Sequence, residues 1–109
     1  MKKIVFLIIA SMLMSIMLTG CGGGETLTLN VYNWGEYISD GSEGSFDTVK
    51  EFEKWYKETY GQKVNVNYTT YASNEDMYNK ISSGAVSYDV IIPSDYMIAR
   101  MVNEGLLQP

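Results

Sequence analysis

From residue 27 onward the hydrophobic pattern switches repeatedly between a period of two and a period near 3.6. Leu27, Leu29 and Val31 alternate with Thr28, Asn30 and Tyr32, which predicts a strand. A loop follows from Gly35 to Ser45. Phe46, Val49, Phe52, Tyr56 and Tyr60 then recur at helical spacing, with Ser45 as the N-cap and Gly61 as the stop. Val64, Val66 and Tyr68 alternate again as a second strand. Ser73 followed by Asp76 resembles a capping box with Asp in place of Glu. Met77, Tyr78 and Ile81 form the stripe of that second helix, and Gly84 ends it. The continuous apolar run Val90-Ile91-Ile92 predicts a strand buried on both faces. A third helix carries Met97, Ile98, Met101 and Val102, stops at Gly105 and takes Asp95 as its N-cap. The order β-α-β-α-β-α implies an α/β fold with right-handed crossovers and a mainly parallel sheet covered by helices.

The first 21 residues follow a different rule. Lys2 and Lys3 precede an apolar stretch from Ile4 to Leu18, which closes on Leu18-Thr19-Gly20-Cys21. A basic head, a short apolar core and small residues before the cleavage point describe an export signal. The stretch falls short of the roughly 20 apolar residues that span a bilayer. A branched residue, two small residues and a cysteine resemble a bacterial lipobox. Residues 1–20 are therefore expected to be a lipoprotein signal peptide, with Cys21, the only cysteine, as the lipidated first mature residue. Residues 21–26, with Gly22-Gly23-Gly24, read as a tether. This places the domain on the outer face of the bacterial cytoplasmic membrane, held by a lipid anchor.

Removal of residues 1–20 takes Lys2 and Lys3 with it. Eighty-nine residues remain, with six basic side chains against thirteen acidic ones, a formal charge of −7. So acidic a chain is a poor match for nucleic acid, whose phosphates demand clustered Lys and Arg. With Cys21 committed to lipid, no disulfide forms within the mature chain. The chain has no histidine, which removes Ser-His-Asp and Cys-His chemistry and the usual zinc sites. No metal or other cofactor is expected.

In open α/β sheets, ligands bind beyond the carboxyl ends of the strands, where strand order reverses. For this order the point lies between the first and third strands, beside Asn33–Tyr37 and Pro93–Tyr96. Both segments suit an organic cation. Trp34, Tyr37 and Tyr96 offer aromatic faces, each worth roughly 0.5–2 kcal/mol to an ammonium group. Glu36 supplies a charge-assisted hydrogen bond, and Ser94 and the phenols accept further ammonium protons. Packing alternatives stand beside these readings: Trp34 as a cap on the core, Glu36 as a solvated carboxylate, Tyr37 and Tyr96 as half-wet packing residues. Glu51, Glu53, Lys54, Lys57 and Glu58 read as a solvated mixed-charge helix face, and Trp55 with the helix tyrosines as core or half-buried packing.

The same segments carry a resemblance. Tyr32-Asn33-Trp34-Gly35-Glu36-Tyr37 is similar to the signature of the spermidine/putrescine-binding proteins of polyamine ABC transporters. Lys63–Tyr68, Ser73-Asn74-Glu75-Asp76-Met77-Tyr78, Tyr88–Tyr96 and Glu104-Gly105-Leu106-Leu107 resemble further family segments in the same order, so the likeness covers nearly all of residues 27–109. It implies the start of the first lobe of a two-lobed periplasmic-binding-protein-like fold, which closes on a polyamine and delivers it to a membrane permease. By motif position, Trp34, Glu36, Tyr37, Ser94 and Tyr96 would be this lobe's share of the polyamine site. The family often has a small polar residue where Gly35 stands and a neutral one where Asp95 stands. Its members are also much longer, so residues 27–109 are expected to be a partial N-terminal lobe, with the second lobe absent.

Other functional classes remain open at this point. The chain could bind another organic cation or solute. A carboxylate-based surface hydrolase would need Glu36 and a second acid at about 5–10 Å, a role for which Asp95 is placed. An adhesive surface lipoprotein would leave the aromatic clusters without a purpose. A binding protein, not an enzyme, is the expectation. For the anchor the expected outcome is definite: Cys21→Ala abolishes incorporation of labelled fatty acid and mislocalises the product. A wild-type chain that takes up no label would overturn the lipobox reading.

Overall fold

The computed structural model describes residues 24–108. The signal segment and Cys21 lie outside the described residues. Within them the elements are β1 (Leu27–Trp34), α1 (Thr48–Tyr60), β2 (Val64–Tyr71), α2 (Asn74–Ser82), β3 (Val90–Ile91) and α3 (Asp95–Asn103), with a short 3₁₀ turn at Ser42–Gly44. All strand pairs are parallel, in the order β2-β1-β3. No helix among the described residues is long and apolar enough to cross a membrane.

Register follows from the alternation. Leu27, Leu29 and Val31 stand opposite Val64, Val66 and Tyr68, while Tyr32 and Trp34 stand opposite Thr69 and Tyr71. The crossover from β1 to β2 and the one from β2 to β3 run in opposite directions along the sheet. Their right-handedness therefore puts α1 on one face and α2 on the other. On the α2 and α3 face, Tyr32, Tyr71, Met77, Met97 and Met101 are buried, with Tyr88, Ile81, Ile91, Leu106 and Leu107 packed around them. Tyr32 stacks on Tyr88 at 4.3 Å and meets Tyr71 edge-on at 4.9 Å. Across the helices, Tyr78 donates to Glu104 at 2.6 Å and Arg100 covers the Tyr78 ring at 3.8 Å.

Helix ends follow local chemistry. Ser73 Oγ accepts the Asp76 N–H at 3.1 Å, and Gly61 ends α1 in the left-handed region at φ 69°. Two caps differ from expectation. Asp47, not Ser45, caps α1: its carboxylate accepts the Lys50 N–H at 3.1 Å and pairs with Lys50 Nζ at 2.9 Å. A bridge between Asp40 and Asp47 closes the preceding loop, so the helix starts later and Phe46 stays exposed. Ser94, not Asp95, occupies the N-cap position of α3, because the Asp95 carboxylate turns to the Tyr96 N–H at 2.7 Å.

Three packing expectations are also corrected. β3 is a two-residue edge strand, and Val90 is 42% exposed, so the run is not buried on both faces. Helix α1 has no fully buried residue, and Trp55 and Tyr60 are exposed, their rings meeting each other at 5.7 Å. Glu53 is not merely solvated. Odd-numbered residues of β2 face β1, as Leu27 N–H to Lys63 O and Gly35 N–H to Tyr71 O show, which turns the Val66 N–H outward. Glu53 Oε1 takes that N–H at 2.8 Å and closes a donor that an edge strand otherwise leaves open.

Urea unfolding should rank these contributions. Met77→Ala removes a side chain with 0% exposure and is expected to cost about 2–5 kcal/mol. Glu53→Ala should cost less, about 1–3 kcal/mol, and increase self-association by freeing the β2 edge. A neutral Met77→Ala would contradict the core described here.

Candidate functional site

Parallel strands end at the same edge of the sheet, so the turns after β1, β2 and β3 converge there. β1 delivers Asn33, Trp34, Glu36 and Tyr37; β2 delivers Tyr71 and, through the start of α2, Asn74 and Glu75; β3 leads to Ser94 and, on α3, Tyr96. The floor is aromatic. Trp34 packs on Tyr71 at 4.7 Å, and the Tyr71 hydroxyl donates to the Ile92 carbonyl, tying β2 to the turn after β3. Asn33, the preceding residue of β1, is fully buried, and its Oδ1 accepts the Trp34 N–H at 2.8 Å.

Asn74, 5% exposed, is the hub of the polar side. Its Oδ1 accepts the Ser94 backbone N–H at 3.1 Å. That contact orients the amide, since a backbone N–H can only donate. Nδ2 consequently faces two hydroxyls, Ser94 Oγ at 3.0 Å and Tyr96 OH at 2.9 Å. Tyr96 OH in turn donates to Glu75 Oε1 at 2.9 Å.

Sequence reasoning selected five residues here, and the structure divides them. Ser94 and Tyr96 are joined through Asn74, and Trp34 shares the floor with Tyr71. Tyr37 is 65% exposed on the turn. Glu36 takes a left-handed conformation at φ 57°, which costs a non-glycine residue about 1–2 kcal/mol. It borders a separate cleft of about 340 Å³ with Asp40, Asp47, Tyr68 and Thr70, on the side of the sheet where α1 packs. No hydrogen bond among the described residues links Glu36 or Tyr37 to Ser94 or Tyr96. Asn74, Glu75 and Tyr71 were not selected. The helix start at Ser73 was legible, but a partner 20 residues further on is not a spacing signal.

The N-termini of α2 and α3 open onto this edge, and their dipoles alone would favour an anion. Glu75, Asp76 and Asp95 occupy the first turns and reverse that preference. Hydroxyl acceptors, aromatic faces and carboxylates together suit an N–H donor carrying positive charge. Among the described residues no group of three or more His, Cys, Asp or Glu is arranged to hold a metal ion. The larger hollow, about 610 Å³, runs along β3 between Tyr88, Ile98 and Leu107, and none of the five selected residues lines it.

A family model described as "Hypothetical lipoprotein (MG045 family)" matches residues 1–109. The putrescine-binding periplasmic protein PotF of Escherichia coli is 33% identical over 108 residues, 99% of this chain and 26% of that protein. The spermidine/putrescine-binding periplasmic protein of Salmonella typhimurium is 33% identical over 111 residues, again 99% of this chain and 28% of the relative. Among solved structures, the spermidine/putrescine ABC transporter substrate-binding protein PotD of Streptococcus pneumoniae, crystallised with calcium and HEPES, superposes with a TM-score of 0.58. The two are 40% identical, over 77% of this chain and 22% of PotD. The chain thus spans about a quarter of the length of the curated relatives it matches. The α/β arrangement with its parallel sheet matches the start of a periplasmic-binding-protein fold.

The floor tyrosine provides a check on burial at the site. Burial, with smaller contributions from Tyr32, Tyr37 and Tyr68, pushes the Tyr71 phenol from 10.0 up to about 12. The folded state keeps a proton that the unfolded chain releases near 10.0, so stability should fall as pH rises from there to about 12. Tyr71→Phe should flatten that part of the profile in alkaline unfolding followed by circular dichroism. An unchanged alkaline slope would mean that Tyr71 is not the group responsible.

Proposed function

The chain belongs to the MG045 lipoprotein family, and on that footing we propose that it is an extracytoplasmic substrate-binding component of a polyamine ABC transporter. It binds spermidine or putrescine without chemical conversion and presents it to a membrane permease. Residues 1–20 are the export signal, Cys21 carries the lipid, and residues 21–26 are the tether. Residues 27–109 are part of the first lobe of a two-lobed binding fold.

The observation that carries this reading is the grouping at the carboxyl edge of the sheet. The Trp34 and Tyr71 floor at the strand ends lies beside the Ser94-Asn74-Tyr96 network, and the carboxylates of Glu75, Asp76 and Asp95 stand in the first turns of two helices whose N-termini would otherwise attract anions. Relatives named for binding putrescine and spermidine/putrescine align with 99% of this chain and support the same ligand class. In this reading Trp34, Tyr37 and Tyr96 wall the methylenes and face the ammonium, Ser94 accepts an ammonium proton, and Glu36 provides charge at the rim. The relatives are named as substrate-binding proteins, which favours a binding protein over the hydrolase alternative.

Nuclear magnetic resonance titration of the detergent-solubilised full chain with putrescine and spermidine tests the proposal and reads weak as well as tight binding. Trp34→Ala and Glu36→Gln should each weaken binding by about 1–3 kcal/mol. Wild-type resonances that do not respond to either amine would sink the polyamine reading, and unchanged affinity in both variants would remove those two residues from the site.

A further inference from the structure

We infer that Asn74 and Glu75 are positioning residues that decide which hydrogen-bonding groups Ser94 and Tyr96 leave for a ligand, Tyr96 being left as an acceptor only. The inference rests on the amine reading of the carboxyl edge and deepens it by locating the source of donor selectivity.

Hydrogen accounting leads there. Asn74 has two amide hydrogens, and Ser94 Oγ at 3.0 Å and Tyr96 OH at 2.9 Å consume both. Its orientation is not free, because Oδ1 holds the Ser94 N–H at 3.1 Å. A phenol donates one hydrogen and accepts at its oxygen, most strongly in the ring plane and more weakly through the lone pair conjugated with the ring. Glu75, an acceptor when ionised, takes the Tyr96 hydrogen at 2.9 Å, and Asn74 occupies one lone pair. Only the oxygen's remaining acceptor capacity is left, on a residue that is 54% exposed at the mouth of the edge. An N–H donor can use it, whereas a carbonyl or carboxylate finds no hydrogen. Ser94 keeps its own O–H and one lone pair, so it discriminates less. Glu75 also polarises the phenol, since hydrogen bonds in a chain strengthen one another. Neither Asn74 nor Glu75 need touch the ligand.

Asn74 is buried, so the test substitutes its partners instead. In the ligand-free, ¹⁵N-labelled full chain, Tyr96→Phe should shift one Asn74 side-chain amide proton and Ser94→Ala the other. Neither proton moving would overturn the inference. In titrations with putrescine, Glu75→Ala should weaken binding about three- to tenfold, the scale of one net hydrogen bond. Glu75→Gln should recover most of that loss, because its amide oxygen still accepts the phenol hydrogen. In the Tyr96→Phe background, Glu75→Ala should have no further effect. An equal loss in that background would mean that Glu75 acts through its charge alone, and the positioning role would fail. If the wild type responds to neither putrescine nor spermidine, the polyamine reading fails. The ligand-free amide shifts then decide the positioning role by themselves.

Discussion

Every element here takes its place from the use of both edges of β1. Its odd-numbered residues from Leu27 to Gly35 bond to β2, while its even-numbered carbonyls, as at Asn30 and Tyr32, accept from β3. A strand so saturated has to be central, and with right-handed crossovers its two parallel neighbours need helices on opposite faces. β3 is too short to reach the end of β1, and the Trp34 N–H is satisfied by the Asn33 side chain instead. The sheet ends at that point, and the chain reverses through the left-handed Glu36. The pairing that organises the domain therefore also sets where its carboxyl edge begins.

Charge at that edge is a balance of opposed terms. Two helix N-termini supply partial positive charge, and three first-turn carboxylates outweigh it. Ser94 stands at the N-cap position of α3, yet its hydroxyl makes no capping bond to that helix and turns to Asn74. Helix stability worth about 1 kcal/mol in an ordinary serine cap is given up, and the hydroxyl is held toward the edge instead. Asn74, the first residue of α2, thereby couples the starts of two helices that are distant in sequence.

The remote side of the sheet is built differently. α1 buries nothing completely, and its aromatic side chains mostly pack on each other, so its hold on β2 depends on half-buried contacts and on the bond from Glu53 to Val66. The firm part of the domain is the face with Tyr32, Met77, Met97 and Met101. The edge with Trp34, Ser94 and Tyr96 borders that firm face, where side-chain positions are well determined by packing.

Much of this was legible in the chain alone. Alternation at Leu27–Val31 and Val64–Tyr68, helical stripes, and glycine stops at Gly61 and Gly84 determine the element order and the α/β class, because periodicity and backbone freedom are local properties. The motif segments likewise single out Trp34, Ser94 and Tyr96, which the fold brings to the carboxyl edge of the sheet. Local signals misplaced two caps, since the choice between Ser45 and Asp47 depends on the Asp40 bridge, and Asp95 turned instead to its neighbour's N–H. They also overstated the burial of Val90, because an apolar run carries no record of whether its strand is central or at an edge. Only tertiary structure decided that Asn74 bonds residues 20 and 22 positions away, that Glu53 closes a strand edge, and that Glu36 turns to the α1 side. Hydrogen bonds of that kind are set by how strands pair in space, and no spacing along the chain encodes them.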